Sequence, residues 1–267
     1  MTSIRSLSDL SGRRALITGA AGGLGSVFAE TLAELGADLV LVDRPGTNLT
    51  PLCAKLAGAW GINTDFYFCD FEIQEQRSEV ISKIIASGKG LNILVNNAAF
   101  VGTSDLTGWG NSFLDQSIDT WRRALEVNLT SVFDLCQGLL PLLESAKGAN
   151  IVNIASIYGL YGPDWSLYEG TSIGNPAAYG ASKGGLIQFT RWLATTIGPR
   201  VRVNAISPGG ILRNQPSEFV ERYQAKTPLG RMGSEDDFRG ALAYLTSDLS
   251  NYVTGQVLQV DGGWGTW

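Results

Sequence analysis

A glycine-rich loop joins a buried strand to a helix near the beginning of the chain. Residues Arg14–Thr18 form a short apolar run, which is typical of a strand buried on both faces of a parallel sheet. The loop Thr18–Gly25 follows directly, and apolar side chains then recur at helical spacing over Leu24–Leu35. A strand that passes through glycines into a helix opens a strand–helix–strand unit, so this loop constrains the fold more than any other stretch.

The glycines of this loop predict an anion-binding site. Free backbone N–H groups and the helix dipole both point toward an anion at the start of a helix, and residues without a side chain let a pyrophosphate come close. Gly19, Gly23 and Gly25 are therefore expected to hold a dinucleotide, although their order, G-x-x-x-G-x-G, differs from the common G-x-G-x-x-G. A glycine loop alone is a weak signal, and the strand before it and the helix after it strengthen the prediction.

A carboxylate stands where such a unit binds the adenosine ribose. The second apolar strand, Asp38–Asp43, ends 18 residues after Gly25, and a dinucleotide-binding unit has an acidic residue near this distance. Asp43 would accept hydrogen bonds from the ribose and repel a 2′-phosphate, so NAD is expected rather than NADP. Arg44 follows at once and offsets part of that repulsion.

Composition narrows the chemistry further. The 267 residues are 44% hydrophobic and 17% charged, which fits one large α/β domain over residues 1–267. Because the chain has no histidine, a Ser-His-Asp hydrolase is excluded, and the usual metal ligand is missing. Three scattered cysteines argue against a disulfide framework or a thiolate site, so no metal is expected.

Charge and hydropathy indicate the partners and the location. A net charge of −5 without a long basic run gives little support for nucleic-acid binding. No stretch is long and apolar enough for a membrane span, and the first residues lack the apolar run of a signal peptide. The expected partner is a small-molecule substrate, and the expected location is the cytoplasm.

Apolar strands and helical patterns continue to alternate along the chain. This alternation predicts a single Rossmann-type domain, a doubly wound α/β fold with a seven-stranded parallel sheet and helices on both faces. The further strands are predicted at Asp65–Cys69, Leu91–Val95, Asn150–Ala155, Val201–Ile206 and Gln256–Val260, and the further helices at Thr50–Ala59, Ile73–Ser87, Ile118–Leu140, Glu218–Lys226 and Ser234–Leu245.

Polar residues follow two of these strands at the point where each ends. Asn97 follows the fourth strand and Ser156 the fifth, and ligands bind at this edge of such sheets. An ordinary turn is the alternative for Asn97, since asparagine tolerates turn geometry. Asn128 lies on or beside the apolar stripe of the intervening helix, so it is either a satisfied core amide or part of the site.

Tyr179 and Lys183 are four residues apart, which puts them one turn apart on the same face of a helix. A neighbouring cation favours the phenolate and lowers the pKa of the phenol toward working pH, where it can exchange a proton with a substrate oxygen. This spacing also occurs by chance on helix surfaces. The glycine loop, 160 residues earlier, favours the interpretation that this pair transfers a proton.

Across nearly its whole length the sequence resembles the classical short-chain dehydrogenases/reductases. The departures are Ala99, where the family usually has glycine, and Arg213, near the position of a threonine that touches the nicotinamide carboxamide in many members. The ordered motifs that carry the resemblance are Thr18–Gly25, Asn96–Ala99, Asn128, Ser156, Tyr179–Lys183 and Ser207–Gly209.

The resemblance implies a role for each polar residue. Ser156 would hydrogen-bond the substrate oxygen, and Tyr179 would exchange a proton with it while the nicotinamide takes or gives a hydride. Lys183 would lower the pKa of the phenol and hold the nicotinamide ribose, and Asn128 would keep a water relay in place. The implied cofactor contacts are the loop residues Gly19, Gly23, Leu24 and Gly25, Asp43 on the ribose, Asp70 and Phe71 on the adenine, Asn97 and Ala98 on the adenosine side, and Pro208, Gly209 and Ile211 on the nicotinamide.

An insertion separates Ser156 from Tyr179 and is longer than is usual in the family. Its 22 residues, 157–178, carry aromatic, acidic and amide side chains, which suit a hydroxylated ring better than a fatty acyl chain. A surface loop in a subunit contact is the alternative. The stretches Tyr168–Thr171 and Val260–Trp267 also resemble reductases of bacterial surface-sugar (nonulosonate-type) pathways. The candidate substrate contacts are Ser156, Tyr158, Asp164, Tyr168, Glu169 and Tyr179.

Two other segments are expected beside the site. Residues 209–233 form a long polar connection, which is typical of a substrate lid. Phe100–Ser117 is rich in glycine, serine and threonine and is expected to be a loop over the site. The apolar stripe after Lys183 implies, by the resemblance, pairing between subunits in a homodimer or homotetramer.

These features predict an NAD(P)-dependent enzyme that interconverts a secondary alcohol and a ketone. A polar, sugar-like or polyol substrate is favoured, and a 3-oxoacyl thioester is the alternative. A binding protein that senses NAD(H) without turnover is the alternative from another class. The presence of Ser156, Tyr179 and Lys183 together argues against it.

Overall fold

The computed structural model describes residues 2–101 and 106–267. One parallel sheet organises the molecule, and its strand order is β3-β2-β1-β4-β5-β6-β7. The order reverses between β1 and β4, where ligands bind in sheets of this type. The prediction of a seven-stranded, doubly wound sheet is confirmed. The strands are β1 (Arg14–Thr18), β2 (Asp38–Asp43), β3 (Thr64–Phe68), β4 (Ile93–Asn96), β5 (Asn150–Ile154), β6 (Arg202–Pro208) and β7 (Val257–Val260).

Helices cover both faces of the sheet. Successive side chains of a strand point to opposite faces, so each face needs its own layer of helices. In β1, Ala15 and Ile17 join one apolar core and Leu16 joins the other. The first core contains residues of α2, α3 and α9, and the second contains residues of α4, α6 and α7. The helices are α1 (Ile4–Ser8), α2 (Gly23–Glu34), α3 (Thr50–Trp60), α4 (Gln74–Ala86), α5 (Ile118–Leu125), α6 (Ser131–Ser145), α7 (Ala177–Ile197), α8 (Ser217–Lys226) and α9 (Arg239–Thr246).

The predicted single helix over Ile118–Leu140 is wrong. A π-helical turn, Glu126–Thr130, separates α5 from α6, and the helical course continues to Ser145. Such turns insert a residue into an α-helix and often occur at functional sites. Here the turn contains the buried Asn128. A pattern with helical spacing does not reveal one inserted residue, so the sequence did not indicate the break.

The segments around the sheet edge contain short turns. The insertion, residues 157–178, has 3₁₀ turns at Ile157–Gly159 and Trp165–Leu167. The predicted lid, residues 209–233, contains α8 and closes on itself through a parallel bridge between Ile211 and Gly233. Within the predicted loop over the site, residues 102–105 lie outside the described part of the chain.

Candidate active site

A cleft of about 600 Å³ opens at the carboxyl ends of the strands. The glycine loop forms one wall, and the residues after β4, β5 and β6 form the others. Every residue predicted to bind the cofactor lines this cleft, together with three of the four predicted catalytic residues. These lining residues are Gly19, Gly23, Leu24, Gly25, Asp43, Asp70, Phe71, Asn97, Ala98, Ser156, Tyr179, Lys183, Pro208, Gly209 and Ile211.

The glycine loop is shaped by close backbone contacts. Gly19 has φ +63°, in the left-handed region that favours glycine. A Cβ atom at Gly25 would lie 2.0 Å from the carbonyl oxygen of Gly19, so no side chain fits there. The loop therefore leaves a wall of main chain at the start of α2, which is what a closely approaching pyrophosphate needs.

Asp43 and Asn97 hold the glycine loop in place. The amide of Ala21 donates to Asp43 Oδ2 at 2.8 Å. The side-chain amide of Asn97 donates to the carbonyl oxygens of Thr18 at 2.9 Å and Gly19 at 3.1 Å. The carboxylate of Asp43 retains acceptor capacity for a ribose hydroxyl, since each carboxylate oxygen accepts more than one hydrogen bond.

Ser156, Tyr179 and Lys183 line the same cleft as the glycine loop. Tyr179 and Lys183 lie on α7, and Ser156 follows β5. The Lys183 ammonium donates to the carbonyl oxygen of Ile154 at 2.7 Å and lies 5.7 Å from the centre of the Tyr179 ring. The Ser156 hydroxyl accepts from the amide of Tyr158 at 3.2 Å. Phenol, hydroxyl and ammonium thus border the same cleft.

Burial controls the protonation of this group. It raises the pKa of the Tyr179 phenol, and the neighbouring Ser156 hydroxyl offsets part of that rise. Burial also lowers the pKa of Lys183 from 10.5 to about 8. Loss of water is the main cause of the raised pKa of Tyr179, and the lowering expected from Lys183, whose ammonium bonds to the Ile154 carbonyl oxygen, stays a prediction. At neutral pH the phenol therefore keeps its proton.

Asn128 lies behind the cleft rather than in it. Its side chain is fully buried, and its Oδ1 accepts from the amide of Phe100 at 2.6 Å. Its Nδ2 donates to the Phe100 carbonyl oxygen at 3.3 Å and to the Ser182 hydroxyl at 2.9 Å. Both ends of the amide are thus paired within the protein. The side chain ties the strand end after β4 to the helix that carries Tyr179.

The insertion lines a second cavity of about 490 Å³. Tyr158 lines this cavity, and its hydroxyl lies 2.6 Å from that of Tyr168, which also accepts from Asn175 at 3.2 Å. The cavity lies between residues 157–180 and the loop 110–116. It is lined by Gly110, Asn111, Ser112, Phe113, Gln116, Tyr158, Tyr161, Gly162, Pro163, Trp165, Ile173, Gly174, Asn175, Pro176, Ala177 and Gly180.

Asp164 and Glu169 do not line the cleft or the second cavity. Asp164 forms an ion pair with Lys226 of α8 and accepts from the Ser166 hydroxyl at 2.7 Å. Glu169 is exposed, and only its backbone oxygen has a described partner, the guanidinium of Arg222 at 2.5 Å. The insertion turns these side chains toward α8 and solvent, and their expected contact with substrate stays a prediction.

Two arginines that line the cleft form ion pairs, and neither of them was assigned to the site from the sequence. Arg123 pairs with Glu72 through contacts of 2.7 and 2.9 Å and lies 5.0 Å from the centre of the Phe100 ring. Arg213 pairs with Glu235 at 3.1 Å. Only Arg213 gave a sequence signal, as a departure from the family motif. The pairing of Arg123 depends on a helix and a loop that are 51 residues apart.

Other classes of site find no support in the described residues. Across residues 2–101 and 106–267, no helix has the length and apolar character that crossing a bilayer requires. Over the same ranges, no three His, Cys, Asp or Glu side chains are grouped to hold a metal ion.

A parallel sheet with a glycine-walled cleft at its switch point, beside a half-buried tyrosine and a buried lysine, defines a Rossmann-type oxidoreductase. Comparison with known proteins gives the family. A family model described as enoyl-(acyl carrier protein) reductase matches residues 19–265. The chain is 32% identical to the 3-oxoacyl-[acyl-carrier-protein] reductase FabG of Aquifex aeolicus over 259 residues, which are 95% of this chain and 98% of that protein.

Solved structures show the same architecture. An NADPH-dependent 3-quinuclidinone reductase from Rhodotorula rubra superposes with a TM-score of 0.88 at 27% identity, covering 100% of this chain and 96% of the other. A short-chain dehydrogenase from Leptospira borgpetersenii with bound NAD⁺ has a TM-score of 0.82 at 31% identity, covering 99% and 96%. The chain belongs to the short-chain dehydrogenase/reductase family, and it is an NAD(P)-dependent oxidoreductase.

Proposed function

We propose that the protein interconverts a secondary alcohol and a ketone on a polar, sugar-like or polyol substrate, with NAD as the preferred cofactor. The observation that carries this proposal is the meeting of Ser156, Tyr179 and Lys183 on one wall of the glycine-lined cleft. When bound there, the nicotinamide supplies or accepts the hydride. The protein residues then hold the substrate oxygen and move its proton.

The phenol of Tyr179 is suited to give a proton to a ketone oxygen. Because burial raises its pKa, it is protonated at neutral pH and can donate to the oxygen on which negative charge develops. The Ser156 hydroxyl would stabilise the same oxygen by a hydrogen bond. Lys183, fixed to the Ile154 carbonyl, would hold the nicotinamide ribose and favour the phenolate that remains.

The second cavity favours a neutral hydroxylated substrate. The described residues that line it are uncharged, and its aromatic side chains stand beside the amides of Asn111, Gln116 and Asn175. Aromatic faces pack on the apolar side of a sugar ring, and amides bind its hydroxyls. Tyr158 lines this cavity, and its backbone N–H donates to the Ser156 hydroxyl, so the cavity adjoins the catalytic wall. This character also fits the resemblance to reductases of bacterial surface-sugar pathways.

A 3-oxoacyl thioester is the second candidate substrate. The Aquifex aeolicus relative is named as a reductase of such thioesters and matches nearly the whole chain. The neutral amides and ring faces of the second cavity, and the insertion itself, favour the sugar-like substrate over it. A sensor that binds NAD(H) without turnover remains the alternative from another class, and the catalytic wall argues against it.

Asp43 supports the preference for NAD. Its carboxylate lines the cleft, where it would accept a ribose hydroxyl and repel a 2′-phosphate. Arg44 lines the cleft as well and would reduce the preference. NADP binding is therefore proposed to be weaker rather than absent.

We further propose a homodimer or homotetramer in the cytoplasm. On α7, Phe189 and Trp192 stack with their ring centres 6.3 Å apart, and Trp192 is 56% exposed. Phe133 of α6 packs beside them and is 43% exposed. Exposed aromatic clusters of this kind mark interaction surfaces. The buried free thiols of Cys53, Cys69 and Cys136 are consistent with a reducing compartment.

The substrate proposal is tested by a panel of keto-sugars, polyols and 3-oxoacyl thioesters with each cofactor. Loss or gain of reduced-nicotinamide absorbance measures turnover, and Trp165→Ala, in the second cavity, is compared with the unchanged protein. We expect the highest kcat/KM with hydroxylated ketones and NADH, and a higher KM for these substrates alone in Trp165→Ala. Fastest turnover with thioesters would support the second candidate, and cofactor binding without any turnover would support the sensor.

A further inference from the structure

A pair of charged side chains borders the glycine loop where α2 begins. The Arg213 guanidinium and the Glu235 carboxylate are 3.1 Å apart, and their side chains are 52% and 29% exposed. A Cβ atom at Gly23 would lie 2.9 Å from Arg213 Nη2 and 2.7 Å from Glu235 Oε1. The absence of a side chain at Gly23 therefore leaves room for this pair directly against the loop.

The start of α2 offers hydrogen-bond donors at the same place. The N-cap residue, Gly22, has no side chain, so no side-chain cap satisfies the first turn, and that turn contains no acidic residue. The first N–H groups of a helix lack partners within the helix and attract an anion. The helix start and Arg213 thus place positive charge at one point of the cleft.

The backbone around Arg213 is fixed. The Arg213 amide donates to Gln215 Oε1 at 2.7 Å, and Gln215 Nε2 donates to the Ile211 carbonyl oxygen at 2.8 Å. Ile211, Arg213 and Gln215 all line the cleft. The turn therefore presents the guanidinium over the cleft rather than leaving it free on the surface.

We propose that Arg213 is a further cofactor-binding residue, whose guanidinium binds the pyrophosphate of the dinucleotide beside the glycine loop. Glu235 is a positioning residue, whose carboxylate pairs with the guanidinium until the phosphates take the place of that carboxylate. This inference rests on the proposed dinucleotide function of the cleft. A planar guanidinium forms paired, charge-assisted hydrogen bonds with phosphate oxygens, which a threonine at this position would not supply.

The lid gives a matched control for Arg213. Arg231 forms a similar exposed ion pair with Asp237 at 2.6 Å, on the same segment, but does not line the cleft. Arg231→Gln therefore removes one lid arginine and one ion pair without touching the glycine loop. Arg213→Lys keeps the charge and loses only the paired geometry.

The test measures binding of ADP-ribose, which carries the pyrophosphate, and of adenosine, which does not, by calorimetry. For Arg213→Gln we expect the Kd of ADP-ribose to rise about tenfold or more, with a weaker salt dependence and no change for adenosine. Arg213→Lys should lose less, and Arg231→Gln should bind as the unchanged protein does. Circular dichroism verifies that each variant is folded.

The ADP-ribose affinity of a Glu235 variant distinguishes phosphate binding by Arg213 from a merely structural ion pair. Its carboxylate competes with the phosphates for the guanidinium, so Glu235→Gln should bind ADP-ribose a few-fold more tightly, and the same change should have a smaller effect in Arg213→Gln, which has no guanidinium to compete for. Equal ADP-ribose affinity in folded Arg213→Gln and the unchanged protein would overturn the role of Arg213 alone. Failure of the unchanged protein to bind ADP-ribose or NAD(H) would overturn the dinucleotide site itself, and this inference with it.

Discussion

The cofactor cleft and the insertion are built in different ways. In the cleft, main-chain atoms set the shape: the Gly19 carbonyl oxygen stands where a Cβ of Gly25 would lie. In the insertion, side chains set the shape, since the Tyr158 and Tyr168 hydroxyls pair at 2.6 Å. The Tyr161 hydroxyl also donates to the Gly265 carbonyl oxygen at 2.9 Å. One region is fixed by backbone geometry, and the other by contacts between side chains distant in sequence.

The cofactor cleft belongs to the fold that the family shares, whereas the insertion is a feature of this chain. The glycine loop continues directly from β1, so its shape follows from the sheet, from the glycines and from the side chains of Asp43 and Asn97 that hold it. The insertion meets the rest of the chain through aromatic contacts such as those of Tyr161 with Trp264, and these can change without disturbing the sheet. We therefore expect mutations in the cleft to affect the cofactor and mutations in the insertion to affect the substrate.

Gly25→Ala should break the cleft most severely. The added methyl group would lie 2.0 Å from the Gly19 carbonyl oxygen, so the loop must shift. We expect the Kd of NADH, measured by fluorescence titration, to rise by about 100-fold or more, or about 3 kcal/mol. Gly162→Ala, in the insertion, adds a methyl group with nothing within 4 Å and is the control. Normal NADH binding by Gly25→Ala would contradict the main-chain account of the cleft.

Lys183 should give the cleft a pH dependence that the insertion lacks. The unfolded lysine keeps its proton up to about pH 10.5, whereas burial lowers the folded pKa to about 8. Between these values the unfolded chain binds more protons, so the contribution of Lys183 to the free energy of unfolding rises with pH. Relative to Lys183→Met, we expect the unchanged protein to gain up to about 3 kcal/mol between pH 7 and pH 10.5.

Chemical denaturation at several pH values measures this gain. Lys226→Met removes a lysine that is 42% exposed and paired with Asp164 of the insertion, and it serves as the control. Its difference from the unchanged protein should stay nearly constant over the same range. A constant difference for Lys183→Met as well would show that the buried ammonium does not carry the expected penalty.

Gly174→Ala should affect the substrate and spare the cofactor. Its methyl group would lie 2.1 Å from the Gly110 carbonyl oxygen, where the insertion contacts the loop across the second cavity. We expect KM for the substrate to rise about tenfold, or about 1.4 kcal/mol. The Kd of NADH should stay within about twofold, since neither Gly174 nor Gly110 lines the cleft. An equal loss in both constants would show that the two regions are coupled.

Tyr158→Phe should have the smallest effect of the series. It removes the hydrogen bond between the two tyrosine hydroxyls at the cost of about 1 kcal/mol of stability, because Tyr168 still has Asn175 as a partner. Thermal unfolding measures this loss, and steady-state kinetics should show a KM change of a few-fold. Tyr252→Phe alters a fully exposed tyrosine and should change neither quantity. A lower affinity for NADH in Tyr158→Phe would argue against separate regions.

The sheet and the cleft could be predicted from the sequence because their signals are local. The apolar run Arg14–Thr18 and the glycines after it specify strand, loop and helix within a dozen residues, and the structure gives β1 the same bounds. The residues that end strands also share one edge by the geometry of parallel sheets. The positions of Asn97 and Ser156 therefore followed from the strand assignments alone.

The rest depends on contacts that no local pattern contains. The π-helical turn at Asn128 forms where its amide pairs with Phe100 and with Ser182, 54 residues away. The pKa of Tyr179 follows from the depth of its burial, which spacing along a helix does not give. The carboxylate of Asp164 pairs with Lys226, 62 residues away.

The measurement that tests the central claim most directly compares Tyr179→Phe with the unchanged protein. One titration gives the Kd of NADH, and one single-turnover experiment gives the rate of hydride transfer to the best substrate of the panel. We expect the Kd to stay within about threefold and the rate to fall by about 10² to 10⁴, the usual contribution of a positioned general acid. Tyr161→Phe, in the insertion, should keep nearly full hydride transfer. An undiminished rate in Tyr179→Phe would contradict the account.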